Sequence, residues 1–251
     1  MEQKLKFVTC SGANEFTDIV KMVALSEKFP VIEWGIQVSG KKCGSDSPRL
    51  AWIQRLHHCL QTDNQMIQLA LHINADWVDD FDTERVSPEL HMLLRMRDVK
   101  GEPFFQRIQL NFKIGRDKTP NNQLLLQRIK QYGQNRRFIL SYNEENRAFI
   151  HLLYRNGLRN FDVLYDSSHG EGVSTQEWKE PAFYDENVLQ GYAGGLSPEN
   201  VAKAVIKIKE AVPSDRAFYI DAEGRLKGDD KHLSLTKCEQ YLENALQAIA
   251  L

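Results

Sequence analysis

The chain reads as a (β/α)8 TIM barrel. Three observations predict it: eight short β-prone runs, helical periodicity between most of them, and a length of 251 residues, the size of that architecture. The first run, residues 5–9, leads into a helical pattern over 14–29; the second, 31–38, into one over 48–61. The third, 66–74, alternates Ile67, Leu69, Leu71 and Ile73 with Gln68, Ala70, His72 and Asn74, and precedes a helical pattern over 87–97. The fourth, 106–111, repeats the alternation, with Ile108 and Leu110 set against Gln109 and Asn111, before a pattern over 121–133. Central strands of an open doubly wound sheet, the alternative, are apolar on both faces, whereas a barrel can turn its polar set inward.

The fifth run, 137–141, is followed by a helical pattern over 144–156, and the sixth, 161–166, by a stretch with Gly170, Gly172 and Pro181 that predicts a loop with at most a short helix. The seventh, 188–193, ends at paired glycines and enters a helix over 198–211, with Ser197 as its cap and Pro198 in its first turn. An eighth run, 217–221, and a closing helix over 235–249 complete the count. Nothing resembling a linker divides the sequence, so residues 1–251 are expected to form a single barrel domain.

Composition narrows the function classes. Hydrophobic residues make up 42% and charged residues 26%, as in an ordinary globular protein. Lys and Arg total 32 against 34 Asp and Glu, so no global basic field is available for nucleic acid or an anionic membrane. Cys10, Cys43, Cys59 and Cys238 are scattered, which argues against a zinc ribbon or disulfide scaffold and toward a reduced cytoplasm. Adjacent His57, His58 and Cys59 point in different directions on a helix, so no metal site is expected there. No signal-peptide pattern opens the sequence, and no apolar run approaches the ~20 residues of a membrane span.

In a barrel the strand C-termini carry the chemistry. This selects Cys10, Gln37, Asn74, Gln109, Asn111, Ser141, Asp166, the Gly194-Gly195 turn and Asp221. Gly194-Gly195, running into a helix, can aim backbone N–H groups and a helix dipole at a phosphate, although paired glycines also serve an ordinary tight turn. Cys10 is either an activated thiol or an inert core cysteine. Asp166 is either a general acid or a loop-capping carboxylate. Arg49, in Ser47-Pro48-Arg49, either forks onto a substrate carboxylate or is a solvated helix-start residue.

Several motifs together resemble phosphoribosylanthranilate isomerase, the (β/α)8-barrel enzyme of tryptophan biosynthesis. Ala193 to Val201 is nearly that family's Ala-Gly-Gly-Leu-Thr-Pro-Glu-Asn-Val, and Ser47-Pro48-Arg49 matches its Ser-Pro-Arg. Val8-Thr9-Cys10-Ser11 is similar to its Lys-Ile-Cys-Gly, and Gln109-Leu110-Asn111-Phe112 to its Gln-Leu-His-Gly. Asp166 to Trp178 aligns with the segment that opens on its acidic residue, with Glu171 and Val173 in place of two glycines. Asp221-Ala222-Glu223-Gly224-Arg225 is similar to its Asp-Val-Ser-Ser-Gly-Val-Glu.

The resemblance implies an Amadori rearrangement of a phosphoribosyl aminoaldose to an aminoketose. Asp166 is then the general acid, Cys10 the general base and Arg49 the carboxylate contact, with Gln109 and Asn111 lining the substrate. Gly194, Gly195 and Gly224 hold the phosphate, and neither cofactor nor metal takes part. Glu223 stands where the family has serine, a like charge beside the expected phosphate unless Arg225 or Lys227 offsets it. The alternative expectation is a catalytically altered barrel that binds a phosphorylated or otherwise anionic small molecule.

Overall fold

Eight strands, named in chain order, close into a barrel in the order β1-β2-β3-β4-β5-β6-β7-β8. The computed structural model describes residues 4–81, 83, 85–111, 122–166 and 177–250. The strands are β1 (Lys4–Ala13), β2 (Ile32–Val38), β3 (Gln68–Ile73), β4 (Arg107–Leu110), β5 (Arg137–Ser141), β6 (Phe161–Asp166), β7 (Gln190–Ala193) and β8 (Ala217–Ala222). The helices are α1 (Ile19–Lys28), α2 (Pro48–Thr62), α3 (Asp76–Asp80), α4 (Pro88–Arg95), α5 (Asn122–Tyr132), α6 (Arg147–Arg155), α7 (Val201–Ala211) and α8 (Leu235–Ile249). A 3₁₀ turn, Gly224–Leu226, follows β8. No helix among the described residues is long and apolar enough to cross a membrane.

The chain divides into two compact units, residues 1–35 with 162–251, and residues 36–161. In the first, β6, β7, β8 and β1 form a continuous parallel ladder, with Asp166 opposite Ala193, Ala193 opposite Asp221, and Cys10 opposite Ala222. Asp18 caps α1 by accepting from the Lys21 amide at 3.2 Å, which starts the helix five residues later than the helical pattern suggests. Lys28 closes α1 against α8 through Glu239 at 2.7 Å and Glu243 at 3.0 Å. These three side chains are well exposed, so the pairing adds little stability.

Between β7 and β8 the packing turns on a missing side chain. Gly191 lies opposite Tyr219, and a Cβ there would collide with the Tyr219 ring. Tyr219 uses that space to reach the Val163 carbonyl with its hydroxyl, at 3.2 Å, across the intervening strand.

In the second unit, β3, β4 and β5 are parallel neighbours, with His72 opposite Gln109 and Gln109 opposite Ile139. Ser47 caps α2 and Pro48 occupies its first turn, as its missing N–H allows. Leu50, Trp52, Ile53, Leu56 and Leu60 form the buried stripe of α2. The short helix α3 was not expected; Asp76 at its start accepts from the Gly40 amide at 3.0 Å, so a contact distant in sequence holds it.

Most expected elements stand within a few residues of their sequence positions. Three differences bear on function. β1 runs on through Cys10, Ser11 and Gly12 to Ala13 instead of stopping at Thr9. α7 begins at Val201, because Asn200 accepts from the Ser197 amide at 2.8 Å and residues 197–200 form a turn ahead of the helix. The expected loop after β6 lies, over residues 167–176, outside the described residues.

Gly191→Ala is expected to destabilise the protein by about 1–3 kcal/mol, the cost of overpacking a filled site, read as a lowered midpoint in thermal or urea unfolding. A midpoint equal to that of the wild type would show that Tyr219 yields without cost.

Candidate active site

β1 presents alternate side chains to opposite faces, and its length decides which ones meet β8. Thr9 donates to Glu33 Oε1 at 2.8 Å, and Ser11 donates to Asp221 Oδ1 at 2.6 Å, so these two share the face turned toward neighbouring strands. Asp166 ends β6 two strands from Asp221, in register with Ala193 and through it with Asp221, and therefore stands on that same face. Ser11, Asp166 and Asp221 thus gather at the C-terminal ends of their strands within the first unit.

The electrostatics of this group centre on Asp221. Burial pushes its carboxyl up to about 7; the Ser11 hydroxyl opposes the rise, and the charges of Glu223, Glu33 and Asp166 add to it. A carboxyl in that range takes up and releases a proton near neutrality, the property required of a general acid or base.

Cys10 belongs to the other face of β1. Its side chain is wholly buried, beside Cys238 of α8. Burial raises its thiol well above the ordinary range, and Cys238 and Asp221 raise it further. A thiol held this way stays protonated, and its position against α8 separates it from Ser11, which points the opposite way along the strand. Setting Cys10-Ser11-Gly12, rather than Thr9-Cys10-Ser11, against the Ile-Cys-Gly of the resembled family puts Ser11 at the cysteine's place. That one-residue shift was the available signal for Ser11, and Gly12, with φ of 105°, supports it by occupying a conformation that favours glycine.

The Gly194-Gly195 turn has positive-φ glycines, the backbone of a tight turn. Gly194 and Gly195 have φ of 119° and 62°, and Asn200 ties the turn by donating to the Gly195 carbonyl at 2.9 Å. Neither glycine N–H has a partner among the described residues. Because β7 and β8 are neighbours, this turn emerges beside the one carrying Glu223 and Gly224. Gly224 opens the 3₁₀ turn, and a Cβ there would meet nothing. Glu223 pairs with Lys227 at 2.8 Å, so its charge is balanced within its own turn.

Three expected binding residues belong to the second unit. Arg49, 8% exposed, donates to the Gln37 carbonyl at 2.7 Å from the first turn of α2. Gln109 donates to Asn111 at 2.8 Å, Asn111 to Asn74 at 2.7 Å, and Asn74 to the His72 carbonyl at 3.0 Å, a one-way chain of amides at the ends of β3 and β4. Beside it His72 is buried, and desolvation together with Arg107 lowers its imidazole to about 3, so it is neutral. Among the described residues no group of three or more His, Cys, Asp and Glu side chains could hold a metal ion.

No family model matches this chain, and no curated protein is similar to it in sequence. Solved structures do share its architecture. N-(5'-phosphoribosyl)anthranilate isomerase from Pyrococcus furiosus is 14% identical, with 96% of this chain and 98% of that chain covered and a TM-score of 0.50. The dimeric phosphoribosylanthranilate isomerase from Thermotoga maritima, in a monomeric form, is 13% identical over 96% and 99% of the two chains, with a TM-score of 0.54. A glycoside hydrolase family 30 xylanase from Clostridium acetobutylicum is 9% identical over 98% and 72%, with a TM-score of 0.55. Likeness that extends equally to a xylanase establishes the (β/α)8 barrel, an architecture that hosts many chemistries.

Asp221 has a folded-state pKa above the ordinary carboxylate value of ~3.9, so the stability its protonated form contributes is complete below about pH 4 and lost as pH rises through about 7. Asp221→Asn keeps an oxygen for Ser11 and removes the ionisation. Its stability relative to wild type is expected to improve by a few kcal/mol between pH 4 and pH 8 in paired urea titrations. A constant difference across that range would refute the shifted carboxyl.

Proposed function

We propose that this protein is an acid–base isomerase of the phosphoribosylanthranilate isomerase type, acting on an N-linked phosphorylated aminoaldose, with two carboxyl groups in place of a thiol–carboxyl pair. The observation that carries this reading is the buried Asp221 carboxyl, bonded to Ser11 at 2.6 Å, poised at about 7 and within the electrostatic reach of Asp166. In the proposed reaction Asp166 gives a proton to the furanose ring oxygen as the ring C–O bond breaks, leaving a protonated Schiff base. The Asp221 carboxylate then takes the proton from C2, and the electron pair of that C–H bond flows into the imine. The resulting enolamine tautomerises to the aminoketose.

The remaining residues fit supporting roles. Ser11 orients the base through its hydrogen bond, and the N–H groups of Gly194 and Gly195, unpartnered among the described residues, suit a phosphate. The Glu223–Lys227 pair lessens the repulsion that Glu223 alone would offer an anion. Cys10 contributes packing against α8. The four free cysteines suit a reducing cytoplasm. The buried position of Cys10 also favours a second reading, a barrel that binds a phosphorylated small molecule without converting it.

Purified protein incubated with phosphoribosylanthranilate distinguishes the two, since substrate fluorescence disappears on turnover. Turnover is expected, reduced about 10²–10⁴-fold by Asp221→Asn or Asp166→Asn and nearly unchanged by Cys10→Ala. Absence of turnover in wild type, or full activity in both aspartate variants, would eliminate the isomerase reading. With Asp221 as the base, kcat/KM in the wild type should rise with pH through about 7 and level off above it. A profile flat across that range would remove Asp221 from the role.

A further inference from the structure

Glu223 stands between the two parts of the candidate site. β8 pairs with β7 as far as Asp221 opposite Ala193, and with β1 as far as Ala222 opposite Cys10. The next residue, Glu223, therefore leaves the barrel with the Gly194-Gly195 turn on one side and Ser11 and Gly12 on the other. A Cβ on Gly12 would lie 3.5 Å from the Glu223 Cγ, so the stem of Glu223 runs over bare Gly12 backbone. Its side chain is 36% exposed and pairs with Lys227 at 2.8 Å. In front of the same turn a Cβ on Gly224 would meet nothing within 4 Å, so a ligand has room beside the carboxylate.

The charge at this position works against an anion and for a hydroxyl. A carboxylate only accepts hydrogen bonds, and its two oxygens take more than one donor. A ligand that brought nothing but a phosphate would compete with Glu223 for Lys227 and leave two like charges facing each other. A ligand whose hydroxyls donate to Glu223 meets the same carboxylate as a partner, through bonds of the stronger, charge-assisted kind. A molecule reaching from the glycine turn toward Asp221 passes Glu223, because the ladder places Glu223 two residues beyond Asp221 and beside that turn.

We propose that Glu223 is a specificity residue that selects, among organic phosphates, those carrying hydroxyl groups on the carbons next to the phosphate. This rests on reading the Gly194-Gly195 turn as the phosphate site, and it holds whether or not the bound molecule is isomerised.

Calorimetric titration with ribitol 5-phosphate and n-pentyl phosphate tests it in wild type, Glu223→Gln and Glu223→Ser, at about pH 8, where both phosphates are dianions. The two ligands have the same chain length and differ in their hydroxyls. Removing Glu223 also frees Lys227, which strengthens both ligands alike, so the ratio of their affinities isolates the hydroxyl contacts. Wild type is expected to bind ribitol 5-phosphate about tenfold or more tighter than n-pentyl phosphate, and both variants to reduce that preference to about threefold or less. The same ratio in all three proteins would overturn the proposal while leaving the phosphate turn in place. Binding of neither ligand to wild type would overturn the proposal and the phosphate turn together. A preference that collapses in both variants, in a protein that does not turn over phosphoribosylanthranilate, would uphold Glu223 and remove only the isomerase reading.

Discussion

The bond from Ser11 to Asp221 is the contact on which the chemical reading depends. It joins residues 210 positions apart in sequence, and it exists because β1 and β8 are parallel neighbours with Thr9 opposite Asp221. Moving β1 by one residue would exchange its faces, placing Cys10 toward Asp221 and Ser11 against α8. The strand register therefore decides which side chain meets the carboxyl. It also keeps Asp221 buried, and burial is the main reason its proton is held to near neutral pH.

Polar groups inside a protein are tolerated when bonded, and each unit solves that requirement differently. In the first, hydroxyls answer carboxylates, Thr9 with Glu33 and Ser11 with Asp221. In the second, amides answer amides from Gln109 through Asn111 to Asn74, and a neutral His72 lies alongside. The first arrangement retains ionisable groups close enough to perturb one another, which suits proton transfer. The amide chain holds no ionisable side chain of its own, so its contribution is orientation through hydrogen bonds.

Much of the fold was legible from local pattern. β5 and β6 fall where their β-branched and aromatic runs place them, and α8 occupies residues 235–249 because its apolar residues recur at helical spacing behind the Ser234 cap. α1 begins later than its helical pattern suggests, since Asp18 caps it, and α7 begins later than Ser197 and Pro198 suggest, since Asn200 accepts from the Ser197 amide and residues 197–200 form a turn ahead of it. α3 left no periodic signal: five residues are too short for one, and its start is held by Asp76 bonding to Gly40. At the site, Asp166 and the glycine turn were readable because strand ends and positive-φ glycines leave local marks.

Sequence by itself determined the number and order of the strands, the absence of a long apolar span, and the candidate anion turn, because each is written in composition and spacing within a few residues. Tertiary structure decided which face of β1 carries Ser11 and which carries Cys10, and so which of the two meets a titrating carboxyl. A strand's alternation names two sets of side chains without saying which set its neighbours enclose; that choice comes from the register with β8 and from the packing of α8 against the other side. The same holds for the pKa of Asp221, which follows from desolvation and from charges brought close only by the folded chain.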